Sequence, residues 1–244
     1  MKLITNAIVT LGVLGFGVMS PFLNAAGEMK DFSCKAGADL STERAKEVLS
    51  KVQQRYSGIE ALHGDFRQDS YVAALDEQEA SSGEMWFGKP GKMRWVYTKP
   101  HPQVVVINQS TLWLYQPENR QVVIDEIGNV LLSSLPVSFM MGLGNLSRDF
   151  DLKGACQGPD GVILRLVPHK SAEKDGGGDA LEGFDLLVDS AQFLPKGAKI
   201  SSLGGNTTAI VFANLSTKVP AGDQGRFVLE YPKGVDVMDR RLSR

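Results

Sequence analysis

A mostly β domain with one amphipathic helix at its start is the fold class this sequence predicts, on three observations. The chain carries 26 glycines and 11 prolines in 244 residues, which supply many turns and suit strands better than a helical bundle. From Ala61 onward the apolar residues fall in short runs punctuated by turn residues. In one such run Met93, Trp95 and Tyr97 share a face at period 2, while Arg94, Val96 and Thr98 share the other. With 43% apolar and 22% charged residues the chain can bury a single sizeable core. Its 26 basic residues face 28 acidic ones, so no net positive field gathers phosphates, and a domain-wide nucleic-acid footprint is absent.

The elements follow in order. Residues 1–26 read as a secretory signal peptide: Lys2 is their only charge, Ile8 to Met19 is apolar, and the stretch leaves through Ala25-Ala26. Gly12, Gly15 and Gly17 argue for cleavage over a retained anchor. Residues 27–244 are then expected to form one domain. The first cysteine, Cys34, lies away from the cleavage site, so the chain is not expected to be a lipoprotein itself. Export and an even count predict a disulfide between Cys34 and Cys156, joining the segment before the first helix to the middle of the sheet.

Ala45, Val48, Leu49, Val52 and Tyr56 fall at helical spacing within residues 41–57, with Ser41 or Asp39 to cap the start and Gly58 to end it. Strands are expected at 61–70, 83–88, 92–98, 103–107, 111–115 and 120–125, an antiparallel meander. The runs Val104 to Ile107 and Leu112 to Tyr115 are apolar on both faces and ask for cover on each side, more than one helix can give. Residues 129–147 are rich in Leu, Val, Phe and Met but broken by Pro136, Gly142 and Gly144, so short helical turns are expected there. Strands resume near 149–155, 162–168, 182–189, 193–203, 207–218 and 226–230, with a solvated loop from His169 to Leu181.

Chemistry-bearing motifs are missing. His63, His101 and His169 are isolated, and neither H-E-x-x-H nor G-x-S-x-G occurs. Gly142-Leu143-Gly144 is followed by Ser147 where a dinucleotide fingerprint needs its third glycine. No catalytic activity, cofactor or metal is expected.

Phe66-x-Gln68, Gly83, Trp86, Lys89-Pro90 and Arg94-Trp95-x-Tyr97-x-x-Pro100 resemble the periplasmic outer-membrane lipoprotein carrier family, LolA. Leu112-Trp113-x-Tyr115-x-Pro117 with Gln121-Val122 resembles that family's next hairpin, Pro136 to Met141 its lid helix, and Phe227 with Pro232-x-Gly234-Val235 its C-terminal strand. The resemblance implies an open, strongly curved antiparallel half-barrel covered by an N-terminal helix and a helical lid. It implies an acyl-chain cavity lined by Phe66, Met93, Trp95, Tyr97, Leu112 and Leu114 under a lid of Leu132, Leu135, Val137, Phe139, Met140 and Met141. Lys89 stands where the family has a latch arginine and is expected to donate to lid carbonyls, with one compact charge in place of a planar fork. Asn108-Gln109 replaces the family's Asp-Gly, and because Gln109 suits a positive φ poorly, a different turn type is expected.

The function implied is that of a monomeric periplasmic chaperone moving acylated lipoproteins from the inner to the outer membrane. Since no nucleotide motif is present, loading energy would come from an inner-membrane ABC-type releasing complex, and delivery would be to an outer-membrane receptor lipoprotein or the membrane. The alternatives are a lipid- or lipoprotein-binding regulatory sensor and a paralogous carrier of another lipid. Sensors of that kind carry a second C-terminal domain, whereas this chain ends at Arg244, so a carrier is the expectation.

Overall fold

The computed structural model describes residues 32–127, 135–169, 180–218 and 223–243. Residues 1–26, expected to be a signal peptide, Leu132 and most of the loop after His169 lie outside them.

Helix α1 spans Thr42–Ser57. Ser41 caps it by accepting from the Arg44 amide at 3.3 Å, and the five apolar positions at helical spacing are all buried. Six strands follow: β1 (Ala61–Val72), β2 (Glu77–Gly88), β3 (Lys92–Lys99), β4 (Gln103–Asn108), β5 (Thr111–Gln116) and β6 (Gln121–Glu126). Two short helices, α2 (Leu135–Met140) and α3 (Leu146–Asp149), take up the glycine-broken apolar segment. Then come β7 (Phe150–Gln157), β8 (Val162–Pro168), β9 (Leu181–Val188), β10 (Pro195–Ser202), β11 (Thr207–Ser216) and β12 (Asp236–Asp239).

All twelve strands form one open, curved sheet in the order β12-β6-β5-β4-β3-β2-β1-β11-β10-β9-β8-β7. The pairing of β1 with β11 welds the two meanders together. Period-2 alternation and register carry one face continuously across it. Leu62 on β1 stands opposite Phe87, which stands opposite Met93, then Ile107, then Leu112, and all five are buried. Further along β1, past Gly64, Phe66 faces Gly83, where a Cβ would come within 1.8 Å of the Val96 carbonyl oxygen. Only glycine allows the β3 backbone to approach this closely, and the Phe66 ring packs on Tyr97 with ring centroids 5.0 Å apart.

The opposite face has its own cover. Val106, Val122, Ile124 and Leu229 are buried together, with Trp113, Tyr115 and Val235 packed against them. The C-terminal segment therefore supplies the second layer that the doubly apolar strands require. The strand expected at 226–230 is not one: Asp223–Phe227 is a 3-10 turn, and Asp236–Asp239 pairs in parallel with β6 instead. The Phe227 ring lies over Gly88 and its carbonyl accepts from Asn108 Nδ2 at 3.4 Å, which holds this segment across the face instead of along an edge.

Other boundaries differ as well. Strand β2 begins at Glu77, well before the expected residue 83, because the β1–β2 ladder continues through polar positions as far as Val72 and Glu77. Gln109 does take φ +56, so the reading of its turn as one that avoids positive φ is corrected; its amide donates to the Gly91 carbonyl at 2.8 Å.

Cys34 and Cys156 are joined in a disulfide. Cys156 lies on β7, one of the two edge strands, and not in the middle of the sheet. Residues 35–40 run beside that edge, with the Lys35 amide donating to the Gln157 carbonyl at 3.0 Å and the Leu40 amide to that of Ala155 at 2.8 Å. The bridge thus pins a segment that covers backbone groups otherwise open to another chain. Free-thiol labelling of denatured, unreduced protein should be negligible, and reduction should lower the unfolding free energy by about 2–4 kcal/mol in denaturant titration. Quantitative labelling of both cysteines would contradict this.

Candidate functional site

The face of the sheet that carries Phe66, Met93, Trp95, Tyr97, Leu112 and Leu114 is concave and covered, and all six side chains are buried. Phe66 is the hub of an aromatic group: its ring lies 4.6 Å from Trp95 and 5.0 Å from Tyr97, and Trp95 meets Phe87 and Phe212 edge-on at 5.8 and 6.4 Å. The covering side chains belong to the same apolar cluster. Phe139, Met140 and Met141 are 2%, 7% and 0% exposed, and the half-buried Val137 packs against the same cluster. Leu135 begins α2, and Leu132 lies outside the described residues.

What holds the cover down is a small polar arrangement around Tyr56, the last buried residue of α1. Its ring packs on Phe139 at 4.6 Å, and its hydroxyl donates to the Met140 carbonyl at 2.5 Å. This carbonyl belongs to the last turn of α2, where helix geometry leaves acceptors without an intrahelical partner. The neighbouring Met141 carbonyl accepts from the Gly91 amide at 3.0 Å. Burial pushes the Tyr56 hydroxyl well above the usual phenol range, so it stays a donor. A second tie runs from Gln53 Oε1 on α1, which accepts from the Leu146 amide at 2.9 Å.

Lys89 sits beside this arrangement, but its partner differs from the one expected. It donates to the Tyr56 carbonyl at the end of α1, and its ammonium lies 3.8 Å from the centroid of the Tyr56 ring. The reason is steric. The lysine stem passes over Gly142, where a Cβ would stand 2.6 Å from Lys89 Cδ, and this carries the charge past the end of α2 to α1. Desolvation pulls the ammonium pKa down to about 8. Gly142 has φ +73, so the residue under the stem needs both no side chain and a left-handed backbone. The side chain that donates to the end of α2 is Tyr56, which sequence periodicity places only as an apolar helix position; the polar tip of a tyrosine ending the stripe is the available signal.

Away from the lid the concave face becomes polar. Tyr97 Oη donates to Gln68 Oε1 at 3.2 Å, and Gln68 Nε2 donates to Ser70 Oγ at 3.0 Å. Burial, reinforced by the charge of Glu79, holds the Tyr97 hydroxyl protonated. Glu79 faces Ser70 across the β1–β2 ladder, and its carboxyl is raised by desolvation against the influence of His101.

A concavity with an apolar floor under a small cover can take up hydrocarbon, since the tails leave water for aliphatic and aromatic surface. The family model described as outer membrane lipoprotein carrier protein LolA matches residues 57–229. This chain belongs to the LolA family. LolA relatives agree over most of their length. An outer-membrane lipoprotein carrier protein of Chromobacterium violaceum is 31% identical over 204 residues, covering 82% of this chain and 92% of its own. One from Cupriavidus taiwanensis is 30% identical over 199 residues, with 78% and 87% covered. Among solved structures, an uncharacterized conserved protein from Thermus thermophilus shares the fold at TM-score 0.50 and 17% identity, covering 81% of this chain and 99% of its own. The LolA match includes Lys89 to Gly91 and all of α2, while Tyr56 lies one residue before it and β12 falls beyond it.

Proposed function

We propose that this LolA chain is a periplasmic carrier that shields the acyl chains of lipoproteins against its concave face and moves them from the inner to the outer membrane. The observation that carries the reading is the lid: three buried side chains held over a buried aromatic floor by few polar ties. Each of those side chains contributes about 1.5–3 kcal/mol by burial, whereas an acyl chain of about fifteen methylenes contributes roughly 0.8 kcal/mol for each one buried. Cargo can therefore displace the lid's packing, and the lid can close again when cargo leaves. The relatives favour a carrier over a regulatory sensor. Residues 1–26 would direct export, which the disulfide supports, because such bridges persist in oxidising compartments.

On this reading loading is driven by an ABC-type releasing complex in the inner membrane, and delivery is to an outer-membrane receptor lipoprotein or to the membrane, with the carrier acting as a monomer. Incubation of the purified protein with energised spheroplasts tests it. Lipoproteins should appear in the soluble fraction bound to the protein. A soluble fraction free of lipoproteins would contradict the reading.

A further inference from the structure

The concave face is not uniformly apolar. On β1, Gln68 and Ser70 point inward and are buried, Gln68 facing Ser81 on β2 and Ser70 facing Thr208 on β11. The Tyr97–Gln68–Ser70 hydrogen bonds run along this stretch of floor. A surface that received only hydrocarbon would gain nothing from such groups, each of which has to be desolvated.

Two polar atoms on the same face have no protein partner among the described residues: the indole Nε1 of Trp95 and the hydroxyl of Thr208. Their residues are 7% and 1% exposed. An indole N–H can only donate, and a hydroxyl can donate or accept, so both are satisfied by an acceptor that arrives with a ligand. Leaving either unmade in a buried site carries the full desolvation penalty. Hydrocarbon tails bring no acceptor. The carbonyl oxygen of the linkage that joins an acyl chain to its head, ester or amide, does, and it is tied to the tails at a fixed distance.

We propose that Trp95 and Thr208 each donate to a carbonyl oxygen of the cargo's acyl linkages, so that this face reads the head of the lipid as well as its tails. The inference rests on the carrier reading and deepens it. Tails then lie toward Met93 and the lid, with the linkages between Trp95 on β3 and the polar stretch of β1 and β11. Selectivity among lipids comes from the linkage, since the aromatic floor accepts any chain of fitting length.

Competitive displacement of the fluorescent apolar probe 1-N-phenylnaphthylamine tests this, using a diacylglycerol and the dialkylglycerol ether of equal chain length, which lacks carbonyls. The unmodified protein should prefer the ester by on the order of tenfold, the scale of one to two net hydrogen bonds. Trp95→Phe and Thr208→Val should each reduce the ester-to-ether ratio several-fold; the ratio is the readout, so a general loss of affinity does not count. Either variant decides the matter if the other fails to fold. A ratio near one in the unmodified protein, or an unchanged ratio in the variants, overturns the inference and leaves the carrier reading standing. Displacement by neither lipid removes both.

Discussion

Glutamate in place of Met93 should leave the protein folded and strip it of cargo. Met93 is 1% exposed in the closed structure, in the row that runs from Leu62 to Leu112. In a permanent core an unpaired carboxylate there would destabilise the fold by several kcal/mol. Under a lid the charge reaches water when α2 lifts, so the cost falls on closure and on hydrocarbon binding and spares the sheet. Phe139→Glu should behave likewise, because Phe139 is part of the lid and its charge leaves with it. Circular dichroism should show both variants folded, and co-purifying lipoprotein should fall at least about tenfold, the equivalent of about 1.4 kcal/mol. Unfolding of both variants would show a plain core, and retained cargo in both would move the binding site elsewhere.

Opposite shifts in transfer rate are the second expected result. Tyr56→Phe removes the hydrogen bond to the Met140 carbonyl and keeps the ring on Phe139, so the lid should open more readily. A net bond of about 1 kcal/mol predicts loading and release roughly fivefold faster. Lys89→Leu acts the other way. It removes a half-buried charge whose desolvation opposes closure, and it keeps an apolar stem over Gly142, so loading should persist while handover slows. Lys89→Arg keeps the charge at this position and should be tolerated.

The pH dependence has the same origin. The Lys89 pKa of about 8 in the closed state lies below the ordinary lysine value of 10.5. Below a pH of about 8 both states are protonated and the penalty on closure is fully present. As pH rises from about 8 through 10.5 closing becomes linked to proton release, the penalty is lifted, and handover should slow. Release kinetics from loaded protein across that window would check the sign. Equal transfer rates for Tyr56→Phe, Lys89→Leu and the unmodified chain would make these contacts mere packing.

How far the sequence reveals this arrangement depends on how local each cause is. Helix α1 was legible because its cap and its stripe are both written within 41–57. The floor was legible on β3, where Met93, Trp95 and Tyr97 alternate with half-buried residues. Strand β2 was legible only in part: Glu77 to Ser82 offer no apolar alternation, and their pairing is imposed by β1. The C-terminal segment misled, because Phe227 and Leu229 mimic a strand's period while a long-range contact with Gly88 and Asn108 decides their course. Tyr56 was hidden for the same reason, since its hydroxyl meets a carbonyl 84 residues away. At Lys89 the sequence shows a charge but not its acceptor, the Tyr56 carbonyl, because the position the stem passes over, Gly142, belongs to another element.

Neighbouring positions on β5 allow the central claim to be tested directly. Leu114 points to the buried concave face and Trp113 to the opposite one, where it packs with Val106 and Val235. A photoreactive benzoylphenylalanine placed at either position in the full chain, and irradiated in cells that make lipoproteins, reports which face meets their acyl chains. The account predicts lipoprotein adducts at position 114 and none at position 113. Adducts of equal yield at both positions, or at 113 alone, would contradict it.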